Sequence, residues 1–221
     1  MTCITVTFCD CSENHHGMEK NGNVCIKGYN NYDLDKISNN FSQKQIERID
    51  LSLYINDVNF KDTKPELLII RNAIENHSKI FTELNTLEWD EKYFDTRRQK
   101  VLNKHARKNL CFSYFSQKPD YENKKGTIIN FKDVPQLNAA KNILSKSIND
   151  INLECEGNKY LNVNKNGSGW HGDAERKKVI GLRLGETMCL CFNWFKDCKP
   201  IGKLFKINLN SGDIYIINRF T

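Results

Sequence analysis

Short strand-like segments in the C-terminal half, preceded by one clear amphipathic helix, predict an α+β fold with a double-stranded β-helix (jelly-roll) core. From residue 159 on, apolar β-branched and aromatic runs recur at 159–163, 179–184, 188–195, 204–209 and 214–217. Turn signals separate them: Asn166-Gly167-Ser168-Gly169, Gly185-Glu186, Lys199-Pro200-Ile201-Gly202 and Ser211-Gly212-Asp213. Short strands at such spacing build a β-sandwich or barrel. Before them, Leu137, Ala140, Ile143, Leu144 and Ile148 stand at helical spacing behind Pro135, which suits a helix start.

The first half predicts an N-terminal helical and strand extension. Residues 4–8 alternate β-branched side chains and read as a strand. Residues 10–22 are polar, contain Glu13-Asn14-His15-His16-Gly17, and read as a loop. Asn21-Gly22-Asn23 then suggests a turn into a short strand at 24–27. Ile46, Ile49, Leu53 and Val58 give residues 41–58 a loosely helical pattern. After Pro65, the run Leu67-Leu68-Ile69-Ile70 is a strand or a buried helix. Ile74, Ile80, Phe81, Leu84 and Leu87 suggest a helix ending near Trp89-Asp90. Residues 110–114 and 126–131 return to strand character. The expected division is an extension over 1–108 packed on a core over 109–221.

Composition bounds the function. Hydrophobic content of 39% and charged content of 27% are those of a soluble globular protein. No apolar stretch is long enough for a membrane span, and MTCITVTFCDC lacks the basic and apolar regions of a signal peptide. The nine cysteines are odd in number, and Cys9-x-Cys11 and Cys189-x-Cys191 are not the CxxC pairs of a zinc site. Free thiols in a reducing, intracellular compartment (cytoplasm, nucleus or viral factory) are expected, with no secretion. A net charge of +6 is compatible with a nucleic-acid partner. The densest basic stretch is Arg97, Arg98, Lys100, Lys104, His105, Arg107 and Lys108, either a solvated face or a phosphate-contacting patch.

One tripeptide carries chemistry. In His171-Gly172-Asp173 the two ligand-type side chains are two apart, and extended backbone points such a pair to one side. An imidazole and a carboxylate are two of the three protein ligands of a non-haem Fe(II) facial triad. An isolated His-x-Asp is otherwise a surface turn. No histidine follows His171. His15, His16, His77 and His105 precede it, and the pair His15-His16 is the least implausible alternative third ligand.

The flanks form an ordered set: Asn158-Lys159-Tyr160, the Gly-bearing loop to Trp170, His171-Gly172-Asp173 with Glu175 after it, Leu182-Arg183-Leu184-Gly185, the aromatic run Phe192-Asn193-Trp194-Phe195, and Gly212-Asp213 opening a further strand. In this set the chain resembles the AlkB-like 2-oxoglutarate/Fe(II)-dependent dioxygenases. The resemblance implies His171 and Asp173 as iron ligands, Asn158 and Tyr160 as the pair that binds 2-oxoglutarate, and Glu175 at the acidic position near the substrate base. Trp170 is expected to line the substrate cleft. The implied activity is oxidative demethylation of an alkylated or methylated base in DNA or RNA, flipped out of any duplex. The family's distal His, its 2-oxoglutarate Arg and its last strands would lie beyond Thr221. Either the chain is a piece of a longer protein, or it is a naturally short relative. Arg183 and Arg219 can hold a carboxylate, though neither matches the family position. A catalytically inactive AlkB-like fold that binds nucleic acid is the alternative.

Overall fold

The computed structural model describes residues 1–55, 64–150 and 152–219. In chain order the elements are β1 (Cys3–Cys9), β2 (Cys11–Glu13), β3 (Lys20–Gly22), α1 (Asn31–Ser38), β4 (Ile46–Asp50), β5 (Glu66–Ile70), α2 (His77–Asn85), β6 (Lys92–Asp95), β7 (Lys100–Asn103), β8 (Lys108–Ser113) and β9 (Ile128–Asn130). Then follow α3 (Pro135–Ile148), β10 (Glu154–Tyr160), β11 (Val179–Gly185), β12 (Met188–Phe192), β13 (Phe195–Lys196), β14 (Lys199–Pro200), β15 (Phe205–Leu209) and β16 (Ile214–Ile217). The fold is α+β and dominated by an eight-stranded sheet in the order β4-β5-β16-β11-β1-β10-β8-β9. Every pairing in it is antiparallel except β8 with β9.

The first strand lies in the middle of this sheet. β1 pairs over its full length with β10 on one side and β11 on the other. Its side chains alternate between the two faces. Ile4, Val6 and Phe8 point into the main core with Leu68, Ile70, Leu110, Phe112, Ile180, Leu182, Leu184, Ile214 and Ile216. Ile37 of α1, Ile80 and Leu84 of α2, and Leu137, Ala140 and Leu144 of α3 cover that face. Cys3, Thr5, Thr7 and Cys9 point the other way, toward a face that is polar at its centre. Toward the β5–β16 end, Leu67, Ile69 and Tyr215 of this second face pack with Phe205, Leu209, Leu190 and Ile207 of the β12–β15 ribbon.

Local signals explain the helices. Asn30 and Asp33 form a reciprocal capping box at α1, with distances of 3.0 and 2.9 Å. Pro135 opens α3, and Glu83 of α2 accepts from the first-turn amides of Gln136 and Leu137 at 2.9 Å. Asn149 closes α3 in the left-handed conformation. Gly157 of β10 lets the ring of Trp89 lie on the sheet, since a Cβ there would stand 2.8 Å from Trp89 Cη2.

Several expectations are corrected. Residues 10–22 are not a loop: β2 and β3 form a hairpin there, and 24–27 form no strand. The helical pattern over 41–58 is instead the edge strand β4, whose Glu47 and Arg48 are exposed. Val58 lies outside the described residues. β10 begins at Glu154 and ends at Tyr160, so the strand read at 159–163 is largely the loop that follows. The stretch 188–195 breaks after Phe192. The large sheet draws strands from both sides of residue 108: β1, β4 and β5 lie in it with β8, β10, β11 and β16. Gly and polar residues inside β10 hid it, because its partner on each side supplies the apolar contacts.

Arg48 of β4 pairs with Glu66 of β5 and with Asp35 of α1. Among the described residues, no helix is long and apolar enough to cross a membrane. All nine cysteines are free.

Phe8 is fully buried at the meeting of β1 with the helices. Phe8→Ala is expected to cost about 3–5 kcal/mol, read as a lowered urea midpoint with an unchanged slope.

Candidate functional site

Cross-strand neighbours in an antiparallel sheet share a face. One row across the second face reads Asn109, Asn158, Thr5, Arg183; the next reads Cys111, Glu156, Thr7, Gly181, Tyr215. Glu156, Asn158 and Tyr160 alternate along β10 and therefore point together. These polar groups are buried: Glu156, Asn158, Tyr160, Thr5, Thr7, Arg183 and Tyr215 all lie below the surface. The ring of Tyr215 lies directly over Gly181, where a Cβ would meet its Cε1 at 2.0 Å. Burial pushes the Tyr215 hydroxyl up to about 12 and raises Tyr160 as well, so both are neutral donors at physiological pH.

The loop between β10 and β11 carries His171 and Asp173 to the rim of this face. His171 Nδ1 lies 2.6 Å from the Gly169 carbonyl oxygen. A carbonyl only accepts, so Nδ1 carries a proton, and Nε2 is the nitrogen whose lone pair a neutral ring offers. That nitrogen stands 3.8 Å from Asp173 Oδ1. Burial raises the Asp173 carboxyl above its ordinary value, against the pull of Arg176.

Arg176 holds the loop to the sheet. Its guanidinium donates to Glu156 Oε2 at 2.6 Å and to Glu175 Oε1 at 2.6 Å, and its Nε is 3.9 Å from Asp173 Oδ2. The Arg176 and Glu156 side chains are only 5% and 7% exposed. Glu156 in turn accepts from Asn158 Nδ2 at 3.0 Å, and Asn158 Oδ1 accepts from Asn109 Nδ2 at 2.7 Å. Asp10 fixes the other end of the loop. It accepts from the amides of Lys177 and Lys178 at 3.0 and 2.9 Å, and from Cys25 at 2.6 Å. Burial pushes the Asp10 carboxyl up, and these amides outweigh it, leaving the group below its ordinary value.

The expected site residues thus divide. His171 and Asp173 come together at the rim; Asn158 and Tyr160 lie on the buried face beneath the same loop. Glu175 is turned toward Arg176, which outweighs burial and holds its carboxyl low. Trp170 is 55% exposed and touches Phe195, ring centroids 5.5 Å apart. Among the described residues, no three His, Cys, Asp or Glu side chains converge as a metal site. Two of the earlier histidines, His15 and His77, have other partners. His15 stacks on Tyr93 at 3.7 Å, and His77 Nδ1 meets Ser211 Oγ at 2.8 Å. The His15 loop is structural: Asn14 donates to buried Asp90 at 2.8 Å and accepts from Lys104 at 2.7 Å, and Glu13 accepts from the Gly17 amide at 2.9 Å.

Sequence reasoning missed Glu156, Asn109, Thr5 and Tyr215. The signal for Glu156 was its spacing of two from Asn158, visible once β10 is extended back to Glu154. The basic stretch forms the β6–β7 hairpin and its approach to β8. Asp95 accepts from the amides of Arg97 and Arg98 at 2.9 and 2.8 Å, which sets both at the exposed hairpin tip. Arg107 donates to Ser168 of the His171 loop at 2.6 Å, so the basic segment abuts the site.

No family model matches the chain, and no solved structure matches it. It is 42% identical over 221 residues to an uncharacterized protein of Acanthamoeba polyphaga mimivirus, covering 97% of this chain and 87% of the relative. The chain belongs to the same family as that protein.

Two outcomes test the electrostatics. Removing one partner of a buried pair costs about 3–5 kcal/mol, so Arg176→Met and Glu156→Gln are each expected to lower stability strongly, and the double variant to recover part of the loss in a double-mutant cycle. Burial and the charges of Lys104 and Arg107 hold His15 at about 4. The unfolded chain takes up that proton near pH 6.5. Stability is therefore expected to fall as pH drops from about 6.5 to about 4, and His15→Phe to flatten that slope in denaturation curves.

Proposed function

We propose that this member of the mimiviral protein's family is an AlkB-like Fe(II)/2-oxoglutarate-dependent dioxygenase acting on alkylated or methylated bases of DNA or RNA. The observation that carries it is the pairing of His171 Nε2 with Asp173 Oδ1 at 3.8 Å, with the His171 Nδ1–H anchored on a backbone carbonyl. Such an outer hydrogen bond is how a metal-binding imidazole is oriented. The finer fold belongs to the same proposal: the large sheet and the β12–β15 ribbon are the two walls of a jelly roll, with the polar face between them.

The residues fit the metal in part. One imidazole and one carboxylate converge, and no third ligand joins them among the described residues. When bound, Fe(II), with 2-oxoglutarate as two-electron reductant, would supply the activation of O₂, the oxidant. The chain's own residues supply positioning. His171 and Asp173 would hold the metal, and the protonated phenol of Tyr160 would donate to the cosubstrate beside Asn158. Asn158 is engaged with Glu156 and Asn109, which fixes its amide orientation. Trp170 and Phe195 form an exposed aromatic wall beside His171 against which an unstacked base can lie. Glu175 acts near the base only if Arg176 releases it.

A second reading, a catalytically inactive nucleic-acid-binding module, is favoured by the exposed Arg97 and Arg98 and by the Arg107–Ser168 link. Anaerobic titration with Fe(II) and 2-oxoglutarate separates the two. The oxygenase is expected to develop a visible charge-transfer band and, once O₂ is admitted, to release formaldehyde from a methylated oligonucleotide, both lost in His171→Ala and Asp173→Ala. Oligonucleotide binding that is indifferent to iron and weakens steeply with salt, without the band, would favour the module.

A further inference from the structure

The helix-covered side of the sheet holds a groove that the His171 site does not use. It has a volume of about 700 Å³ and lies along α3, against Tyr114 and Phe131. Lys132, Lys141 and Lys146 line it with Ser145, and the remaining lining residues are asparagines. No Asp or Glu lines it among the described residues, so charge of one sign fills the cleft. Lys141 and Ser145 stand one turn apart on one face of α3. Lys141 is only 3% exposed. A lysine buried so deeply is almost always paired with an acid. Among the described residues, no carboxylate lies within ion-pair distance of Lys132, Lys141 or Lys146. Glu154 feels the Lys141 charge from farther off, and its carboxylate accepts from Asn21 at 2.7 Å. Lys141 Nζ instead donates to the Tyr114 hydroxyl at 2.6 Å and lies 4.8 Å from the centroid of the Phe131 ring. Ser145 is 7% exposed, and its Oγ has no hydrogen-bond partner. A buried ammonium without a counter-ion and a buried hydroxyl without a partner thus meet in one groove.

We propose that this groove binds a nucleoside phosphate as a free small molecule, with the phosphate over Lys141 and the base on the ring of Tyr114. Lysine is a compact point charge suited to phosphate. A phosphate brings the counter-charge that Lys141 lacks, and acceptor oxygens for its ammonium and for the Ser145 hydroxyl. Lys132, before the first turn of α3, and Lys146, in its last, are exposed and add to the attraction. Tyr114 is 57% exposed, and Phe131 packs edge-on against it with ring centroids 5.4 Å apart. A half-open aromatic ring held in this way is a platform for any base. The volume is that of a small-molecule site. The groove lies on the helix layer, whereas His171 and Asp173 stand at the rim of the opposite face, so the proposal does not rest on the oxygenase reading.

The test is binding to the full chain, by calorimetry and thermal shift, of adenosine monophosphate, adenosine and inorganic phosphate. The nucleotide is expected to bind at least tenfold more tightly than either of its parts. Lys141→Met is expected to erase its advantage over adenosine. Tyr114→Phe is expected to keep its advantage over inorganic phosphate, and Tyr114→Ser to lose it. A wild type that binds the nucleotide no better than adenosine overturns the site, as does a folded Lys141→Met that binds it like the wild type. If Lys141→Met fails to fold, the double variant Lys132→Ser, Lys146→Ser decides, because both side chains are exposed. A loss of about tenfold in nucleotide affinity there supports the site, and an unchanged affinity overturns it. A short single strand without a terminal phosphate that displaces the nucleotide at lower concentration assigns the groove to nucleic acid and overturns the small-molecule proposal.

Discussion

The fold hangs on seven residues, Cys3–Cys9, lying between two strands from the far half of the chain. Without β1, β10 and β11 have no common partner, and the two halves of the large sheet separate. The same seven residues create both environments. Ile4, Val6 and Phe8 seal the core under the helices, while Thr5 and Thr7 give the opposite face its hydroxyls. Because these contacts join distant parts of the sequence, the sheet can form only after a long loop closes. Such topologies fold slowly.

The Arg176 and Glu156 charges on the polar face are tolerable because they are paired through the loop above it. Arg176 reaches back to Glu156 on β10, and Asp10 takes the amides of Lys177 and Lys178 at the entrance to β11. The loop that carries His171 is thus clamped after the site. Before it, Arg107–Ser168 and the Asn162–Asn166 turn tie it down. Burial of a hydrogen-bonded network rigidifies its members. Holding His171 near Asp173 is what such rigidity achieves.

Much of this was legible in the sequence, for stated reasons. Residues 179–184 read as a strand because Ile180, Leu182 and Leu184 alternate on one face, and 214–217 because both of its faces are apolar or aromatic. α3 was legible because its buried side chains keep the helical period and Pro135 marks its start. His171 and Asp173 were legible as a pair because a spacing of two is local geometry. β10 was not: Glu154, Glu156, Gly157 and Asn158 have poor strand propensity, and only their place between β1 and β8 makes them a strand. β4 imitated a helix because Ile46 and Ile49, three apart, repeat as a helix would. The burial of Arg183 beside Thr5, Cys3 and Met188 was beyond sequence reasoning, since it depends on which neighbours three strands bring together.

The charged edge at β4 has a consequence for the protein in a crowded solution. A sheet of this width offers its outer strand as a template for any extended chain that drifts against it. Glu47 and Arg48 project from that strand into solvent, and Arg48 is held there by Glu66 and Asp35. An incoming strand would have to strip water from these charges before its backbone could pair. The ion pairs that look like surface decoration therefore guard against self-association, and their effect falls on the species that do not form rather than on the stability of the one that does.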